Sequence, residues 1–399
     1  MIAQGGRRRP GAPWGAPYNR AGMHFTDAHE ELRTHIRRFL EREVVPHLDE
    51  WEETTFPDTI MKRFGELGFL GLRYPPEYGG QGGDYFSAVV LSEEMARARC
   101  GGLGMAVAVQ AEMATPPVAR FGTEEQKRRF LVPAIAGDAI AAIAMTEPDA
   151  GSDLAGMRTT ARRAGNEYVI NGRKTFITNG RRCQWCLLVT KTDTGAGHKG
   201  FSLFLVPSDT PGFHVARTLK KLGMHSSDTA ELVFEDCRVP VDCRLGDEGG
   251  GWTELMWELQ GERLIAACGQ VAGARATFEY AMQYARDRVA FGRPIAEFQV
   301  VKHRLVDMAN RIAAVQALVY DTCQKWDRGE YVVREISQSK LLASQVAVDV
   351  ADDAIQILGG HGYMAEFPVE RAWRDARLSR IGAGTDEIMK EIIARSYGL

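Results

Sequence analysis

Three stretches of the chain carry residue types whose spacing could do chemistry. Residues 144 to 153 read AMTEPDAGSD, where a strand meets a loop. Their hydroxyls, small side chains and free backbone N–H groups could lie flat against a polar planar ligand, although Pro148, Asp149 and Gly151 are also ordinary turn residues. Residues 356 to 375, QILGGHGYMAEFPVERAWRD, place three glycines just past a helix end. Backbone without side chains lets a ligand come close, as phosphate-binding loops do, and a helix C-cap explains Gly359 and Gly360 equally well. His361 by itself reads as a structural histidine more readily than as a catalyst. In RDRVAFGRP, residues 286 to 294, arginines and Phe291 offer guanidinium groups for a diphosphate and an aromatic face for a base. A solvated basic helix terminus answering the macrodipole is the plainer reading. Cys183 and Cys186 form a CxxC without a thioredoxin-like context or a second ligand pair, so two buried strand cysteines are expected and no metal site.

Elements of three kinds must position these stretches. The 399 residues are 45% hydrophobic and 25% charged, a globular composition with length for two or three domains. A formal net charge of -3 with interspersed signs leaves no electrostatic footprint for nucleic acid or an anionic membrane, so small-molecule chemistry is the better expectation. No run approaches the roughly 18 apolar residues of a membrane span. Seven scattered cysteines fit a reducing compartment: cytoplasm, or the mitochondrial matrix in a eukaryote.

Residues 1–23 hold Arg7, Arg8, Arg9 and Arg20, no acid and many glycines and prolines, and are expected to be a disordered extension outside the fold. Met23 as the real start, or a transit peptide, are the alternatives. Residues 24–137 read as an α-helical domain: Thr26 or Asp27 can cap a segment in which Leu32, Ile36, Phe39 and Leu40 recur at helical spacing, and PPEYGGQGG punctuates later helices. Residues 138–246 switch to short apolar runs, among them EYVINGRKTFIT, CLLVTK and FSLFLV, predicting a β-sandwich or barrel. Asn171-Gly172 is predicted as a two-residue hairpin turn. Residues 247–399 return to long helices, with Phe298, Val301, Leu305, Met308, Ile312, Val315 and Val319 tracing one face of an antiparallel bundle. The fold class is therefore α+β, ordered helical, β, helical.

In combination, AMTEPDAGSD and QILGGHGYMAEFPVERAWRD, with FITNG (176 to 180), KLGMHSSDTAELVFEDCRVP (221 to 240), DRVAFGRPIAEFQ and IGAGTDEIMKEIIAR (381 to 395), resemble the flavin-dependent acyl-CoA dehydrogenases from about residue 24 to the C-terminus. The resemblance implies a three-domain fold ending in a four-helix bundle, FAD as cofactor, an acyl-CoA substrate, an electron-transferring flavoprotein as partner and a homotetramer. It places Met145, Thr146, Gly151, Ser152, Phe176, Ile177 and Thr178 at the flavin ring, with Phe176 where the family commonly has tryptophan. Arg288, Phe291 and Gln299, with Gln356, Ile357, Leu358, Gly359 and Gly360, would hold the diphosphate and adenine end across a subunit interface, completed by Thr385, Asp386 and Glu387.

The implied chemistry needs a carboxylate to take an α proton. Most of the family carries it just before a Gly-Thr pair, where this chain reads Gly382-Ala383-Gly384-Thr385. Like the isovaleryl-CoA and long-chain branches, it offers instead a Glu-Arg-Leu run, Glu262 to Leu264, so the resemblance makes Glu262 the catalytic base. Ser152, Arg263, Ala383 and Gly384 would face the substrate, Ala383 through its backbone N–H. The small, apolar stretch from 100 to 109 would floor a pocket for a medium, long or branched chain. An oxidase and a nucleic-acid-binding relative are the alternatives; both usually carry an extra domain that is not expected here. A hetero-oligomer with half-sites is a third.

Overall fold

The computed structural model describes residues 24–399; the expectation for residues 1–23 lies outside them. Helix α1, Asp27–Phe39, starts where Thr26 turns its hydroxyl onto the His29 N–H while His29 Nδ1 accepts from the Thr26 N–H at 3.0 Å. This reciprocal cap satisfies two N–H groups that the first turn otherwise leaves free. Ile36 and Phe39 face inward and Leu32 packs at the margin. Helix α2, Tyr85–Arg97, is buried on nearly every side, and α3, Gly101–Ala108, continues through a wide turn over Val109–Ala114. The punctuated stretch near residue 80 does turn, with Gly79 and Gly82 at φ 90° and 66°.

The middle of the chain forms β1 Ala141–Ala144, β2 Thr160–Ala164, β3 Glu167–Thr178, β4 Trp185–Lys191, β5 Phe201–Pro207, β6 Phe213–Thr218, β7 Thr229–Pro240 and β8 Arg244–Leu245. They pair in the order β6-β7-β3-β2-β4-β5-β8, with β1 parallel on β4. The sheet curls over one interior: Tyr168 on β3 and Phe204 on β5, three strands apart in that order, bring their rings to 4.8 Å. β4 and β5 are buried over six consecutive residues each because their outer face is covered by helical residues such as Val118, Leu131 and Leu255. Two covered faces explain why their sequences run apolar rather than alternating.

Asn171-Gly172 is not the hairpin turn. β3 runs straight through both with a bulge, and the β2–β3 turn is Gly165-Asn166, with Gly165 at φ 67°. Asn171 instead exchanges two bonds with Asp236 on β7, at 3.1 and 2.9 Å, and a Cβ on Gly172 would stand 2.7 Å from Thr159 Cα. Close approach, not turn geometry, demands this glycine. Cys186 is a buried strand residue as expected, whereas Cys183 is buried in the turn before β4.

Beyond the sheet stand α4 Gly251–Asp287, α5 Gln299–Asp327, α6 Val333–Leu358, α7 Pro368–Ala376 and α8 Asp386–Ser396. Short strands β9 Val289–Ala290 and β10 Arg293–Pro294 join α4 to α5. On α5, Leu305, Met308, Ile312, Val315 and Val319 are buried as the periodicity predicts. The three long helices pack on one another and α8 packs on α6. Their apolar faces share one core with the N-terminal helices, so that Ile36 and Phe39 belong with Ile265, Val271 and Met308. No described helix is long and apolar enough to cross a membrane.

Candidate active site

A cavity of about 770 Å³ opens where the three domains meet. Met145, Thr146, Gly151, Ser152, Phe176, Ile177 and Thr178 line it from the β side, and Glu262, Arg263, Ala383, Gly384 and Thr385 line it from the helical side. The ERL run and the glycine-containing loop, with Arg263 and Ala383 120 residues apart, thus meet in one place.

The β wall is stitched together. Thr175 N–H donates to Thr146 O at 2.8 Å, tying β3 to the loop after β1. Lys174 Nζ, fully buried, donates to Met145 O and Glu147 Oε1, both at 2.9 Å, and Glu147 also accepts from the N–H groups of Arg158 and Thr159 at 2.6 and 2.9 Å. Burial opposes ionisation of Glu147, but Lys174 and those N–H groups outweigh it and hold the carboxyl below its usual range. Burial lowers the Lys174 ammonium to about 8. A bulge between Lys174 and Ile177 sets Phe176 at φ 62° with its ring 67% exposed toward the cavity. Sequence reasoning missed Lys174 and Glu147, because a lone lysine in a strand reads as solvent-facing.

The helical wall is built differently. Glu262 is 8% exposed on α4, and its Oε2 meets no donor. Burial raises its carboxyl above the ordinary range, while Arg263, Glu258 and Lys340 pull it back. Arg263 lines the cavity, yet its Nε is committed to Ala383 O at 2.9 Å, and Lys340 Nζ donates to Gly384 O. The two cations grip the carbonyls of this loop and hold its unusual backbone, Ala383 at φ 55° and Gly384 at 96°. The positive φ of Gly384 favours glycine, whereas the nearest atom to a Cβ there, Met389 Cε at 2.8 Å, is the end of a flexible side chain that can move aside.

Apart from Thr385, the residues predicted for the diphosphate and adenine end do not line the cavity. Arg288 ends α4, Gln299 opens α5, and Phe291 caps the β9–β10 turn, 95% exposed at φ 51°. Gln356 is exposed, while the side chains of Ile357 and Leu358 belong to the core. Gly359, at φ 59°, caps α6, and the space over Gly359 and Gly360 is open. Tyr284 on α4 donates to or accepts from His361 Nδ1 at 2.8 Å, bringing this glycine turn beside the end of α4 and giving His361 a structural partner. Thr385 caps α8; the buried Asp386 carboxylate accepts from Arg380 at 2.7 Å and Ser344 at 3.2 Å; Glu387 is exposed. Among the described residues no cluster of His, Cys, Asp or Glu has the arrangement of a metal site.

A buried carboxylate of raised proton affinity at an apolar cavity has the setting of acid–base chemistry on a small molecule. Family models for the acyl-CoA dehydrogenase N-terminal, middle and C-terminal domains match residues 26–138, 142–237 and 249–398. The chain is 40% identical over 374 residues to the mitochondrial long-chain specific acyl-CoA dehydrogenase of Sus scrofa, covering 93% of this chain and 86% of that one. It is 38% identical over 374 residues to the mitochondrial isovaleryl-CoA dehydrogenase of Oryza sativa subsp. japonica, with 93% and 91% covered. A crystal structure of an acyl-CoA dehydrogenase from Geobacillus kaustophilus superposes with a TM-score of 0.91 at 41% identity, covering 94% of this chain and 99% of that one. The chain belongs to the acyl-CoA dehydrogenase family, a family of oxidoreductases.

Proposed function

We propose that this enzyme, with FAD bound, converts an acyl-CoA thioester of medium, long or branched chain to its trans-2-enoyl form and passes the electrons to an electron-transferring flavoprotein. The observation that carries the reading is Glu262, the carboxylate of the cavity wall that is buried, raised in basicity by that burial and free at one oxygen.

The β wall fits a flavin ring. Its loop offers the Thr146 and Ser152 hydroxyls and backbone of Met145 and Gly151, while Phe176, Ile177 and Thr178 stand beside them on the bulged strand. FAD when bound supplies the acceptor for the hydride that leaves the β carbon. Glu262 takes the α proton: the C–H bond breaks, an O–H bond forms on the carboxylate, and the electron pair stays with the substrate. In this reading the Ala383 backbone N–H bonds the thioester carbonyl, where charge develops and where a fixed donor is worth most. An arriving chain expels water from Glu262 and makes it a stronger base. Arg288, Phe291, Gln299 and the turn from Gln356 to Gly360, away from the cavity, are assigned to the diphosphate and adenine end of a cofactor shared between subunits of a homotetramer. An aromatic ring almost wholly exposed at a positive φ, as Phe291 is, fits such a surface better than a free one.

The acyl channel is long. From Glu262 the cavity continues past Gly269 and Gly273 to Thr277 on α4, opposite Ser92 and Ala96 of α2. That stretch of helix spans about 22 Å, from 1.5 Å per residue. A wall of that length favours long chains over butyryl. Cys100, Gly101, Gly104 and Met105 line the same channel.

Glu262→Gln should bind FAD yet lose flavin bleaching by acyl-CoA by about 10²- to 10⁴-fold, the usual contribution of a general base. Normal bleaching would overturn the assignment. A panel of acyl-CoA thioesters scored by kcat/KM should peak at medium to long or branched chains, and a sharp preference for butyryl-CoA would contradict the channel reading. Turnover with the flavoprotein or a dye, against peroxide release, separates dehydrogenase from oxidase.

A further inference from the structure

Glu254, Glu258 and Glu262 recur along α4 at intervals of one helical turn and so face the same side. Only Glu262 lines the cavity. Glu258 is 2% exposed, and neither of its carboxyl oxygens meets a hydrogen-bond donor; Oε2 of Glu262 lacks one as well. An ionised carboxylate kept dry and unpaired is costly, and two carboxylates meeting across a turn have no donor between them unless one keeps its proton. Burial drives Glu258 well above the usual carboxylate range and the Glu262 charge pushes it the same way. Burial raises Glu262 as well, while Arg263, the neighbouring Glu258 carboxyl and Lys340 favour its ionised form.

The other charged groups around the pair are engaged elsewhere. Arg263 and Lys340, the latter from α6, hold the Ala383 and Gly384 carbonyls. Glu112, on the cavity wall from the N-terminal helices, is paired with Arg73 at 2.8 Å, and Arg120 lies over the Trp257 ring. Glu254, one turn the other way, is influenced by Asp247 and Arg244 rather than by Glu258.

We propose that Glu258 is a positioning residue whose protonated carboxyl donates a hydrogen bond to the Glu262 carboxylate, aiming that base into the cavity and keeping it ionised until the acyl chain arrives. The inference rests on Glu262 being the base. During abstraction the α C–H proton forms an O–H bond on Glu262, the electron pair remains with the substrate, and Glu258 keeps its own proton throughout. Glu258 touches neither substrate nor cofactor and acts only through Glu262.

The test follows flavin bleaching by acyl-CoA against pH in the holoenzyme, with KM recorded separately. Glu258→Met fills the same space without a donor. It should move the acidic limb of the bleaching rate up by about one pH unit, lower the rate about tenfold on that limb, leave KM unchanged and recover at alkaline pH. Glu258→Asp, which keeps an acid but shortens its reach, should shift the limb the same way, and serves if the methionine variant does not fold. Glu258→Gln retains an N–H donor and should return the limb to its wild-type position. An unshifted limb in the methionine or aspartate variant, or a glutamine variant displaced as far as methionine, overturns the proposal. Bleaching that survives Glu262→Gln removes the base itself; bleaching lost there with an unshifted limb in the Glu258 variants sinks only the role of Glu258.

Discussion

The two walls of the cavity treat buried charge in opposite ways. On the β side, Lys174 and Glu147 bury a cation and an anion together, with backbone donors and an acceptor completing the set. On the helical side, Glu258 and Glu262 bury two acids with no donor for three of their four oxygens. A fully satisfied cluster holds its surroundings still, whereas an unsatisfied one stores reactivity as shifted proton affinity. In the proposed reaction, the difference separates a fixed surface on the β side from a carboxylate on the helical side that gains a proton in each turnover.

The comparison breaks most visibly at Lys174. Lys174→Met should leave Glu147 buried without its cation and cost about 3–5 kcal/mol, the range for removing one partner of a buried pair. The apparent Tm should fall and the flavin-to-protein ratio with it; an unchanged Tm and full flavin content would mean that the β wall does not depend on the pair. Gly384→Ala should be milder. A residue with a Cβ at that positive φ costs about 1–2 kcal/mol, and relief of that strain shifts the loop, so bleaching should slow about tenfold while circular dichroism stays native. Loss of the fold would show that the loop is structural rather than poised.

The smallest effect sharpens the contrast through pH. Burial raises Glu254 to about 7. A carboxyl with a raised folded-state value binds its proton more tightly when folded, so its contribution is present below the unfolded carboxylate range and lost as pH rises through about 7. Glu254→Gln should therefore gain apparent Tm over the wild type at pH 8 but not at pH 4. Equal differences at both pH values would mean that Glu254 ionises freely in the folded chain.

Much of this was readable from local signals. The α5 stripe from Leu305 to Val319 is buried because period and packing agree, and Thr26 caps α1 as its chemistry suggests. The paired segments of the β wall and the ERL run reach one cavity because their spacing belongs to a family pattern rather than to any one element. Asn171-Gly172 misled because turn preference is local, while the contacts that need this pair, Asp236 and Thr159, come from elsewhere in the sheet. Lys174 and Glu147 are 27 residues apart and gain meaning only once the loop covers the strand. Glu258 carried no signal either: a glutamate in a helix is ordinarily solvated, and only burial on both sides of α4 makes this one dry.

Helix α4 is unbroken for 37 residues, about 55 Å at 1.5 Å per residue. It carries Glu262 in its first third and delivers Arg288 and Phe291 at its far end. Because each residue turns the helix by about 100°, one inserted or deleted residue beyond Glu262 would rotate the distal hairpin away from its present bearing while leaving the carboxylate where it is. The rod thus acts as a gauge: an exposed turn such as that around Gly195 can change length without moving either end of α4, whereas between Glu262 and Arg288 only a substitution keeps both ends in step.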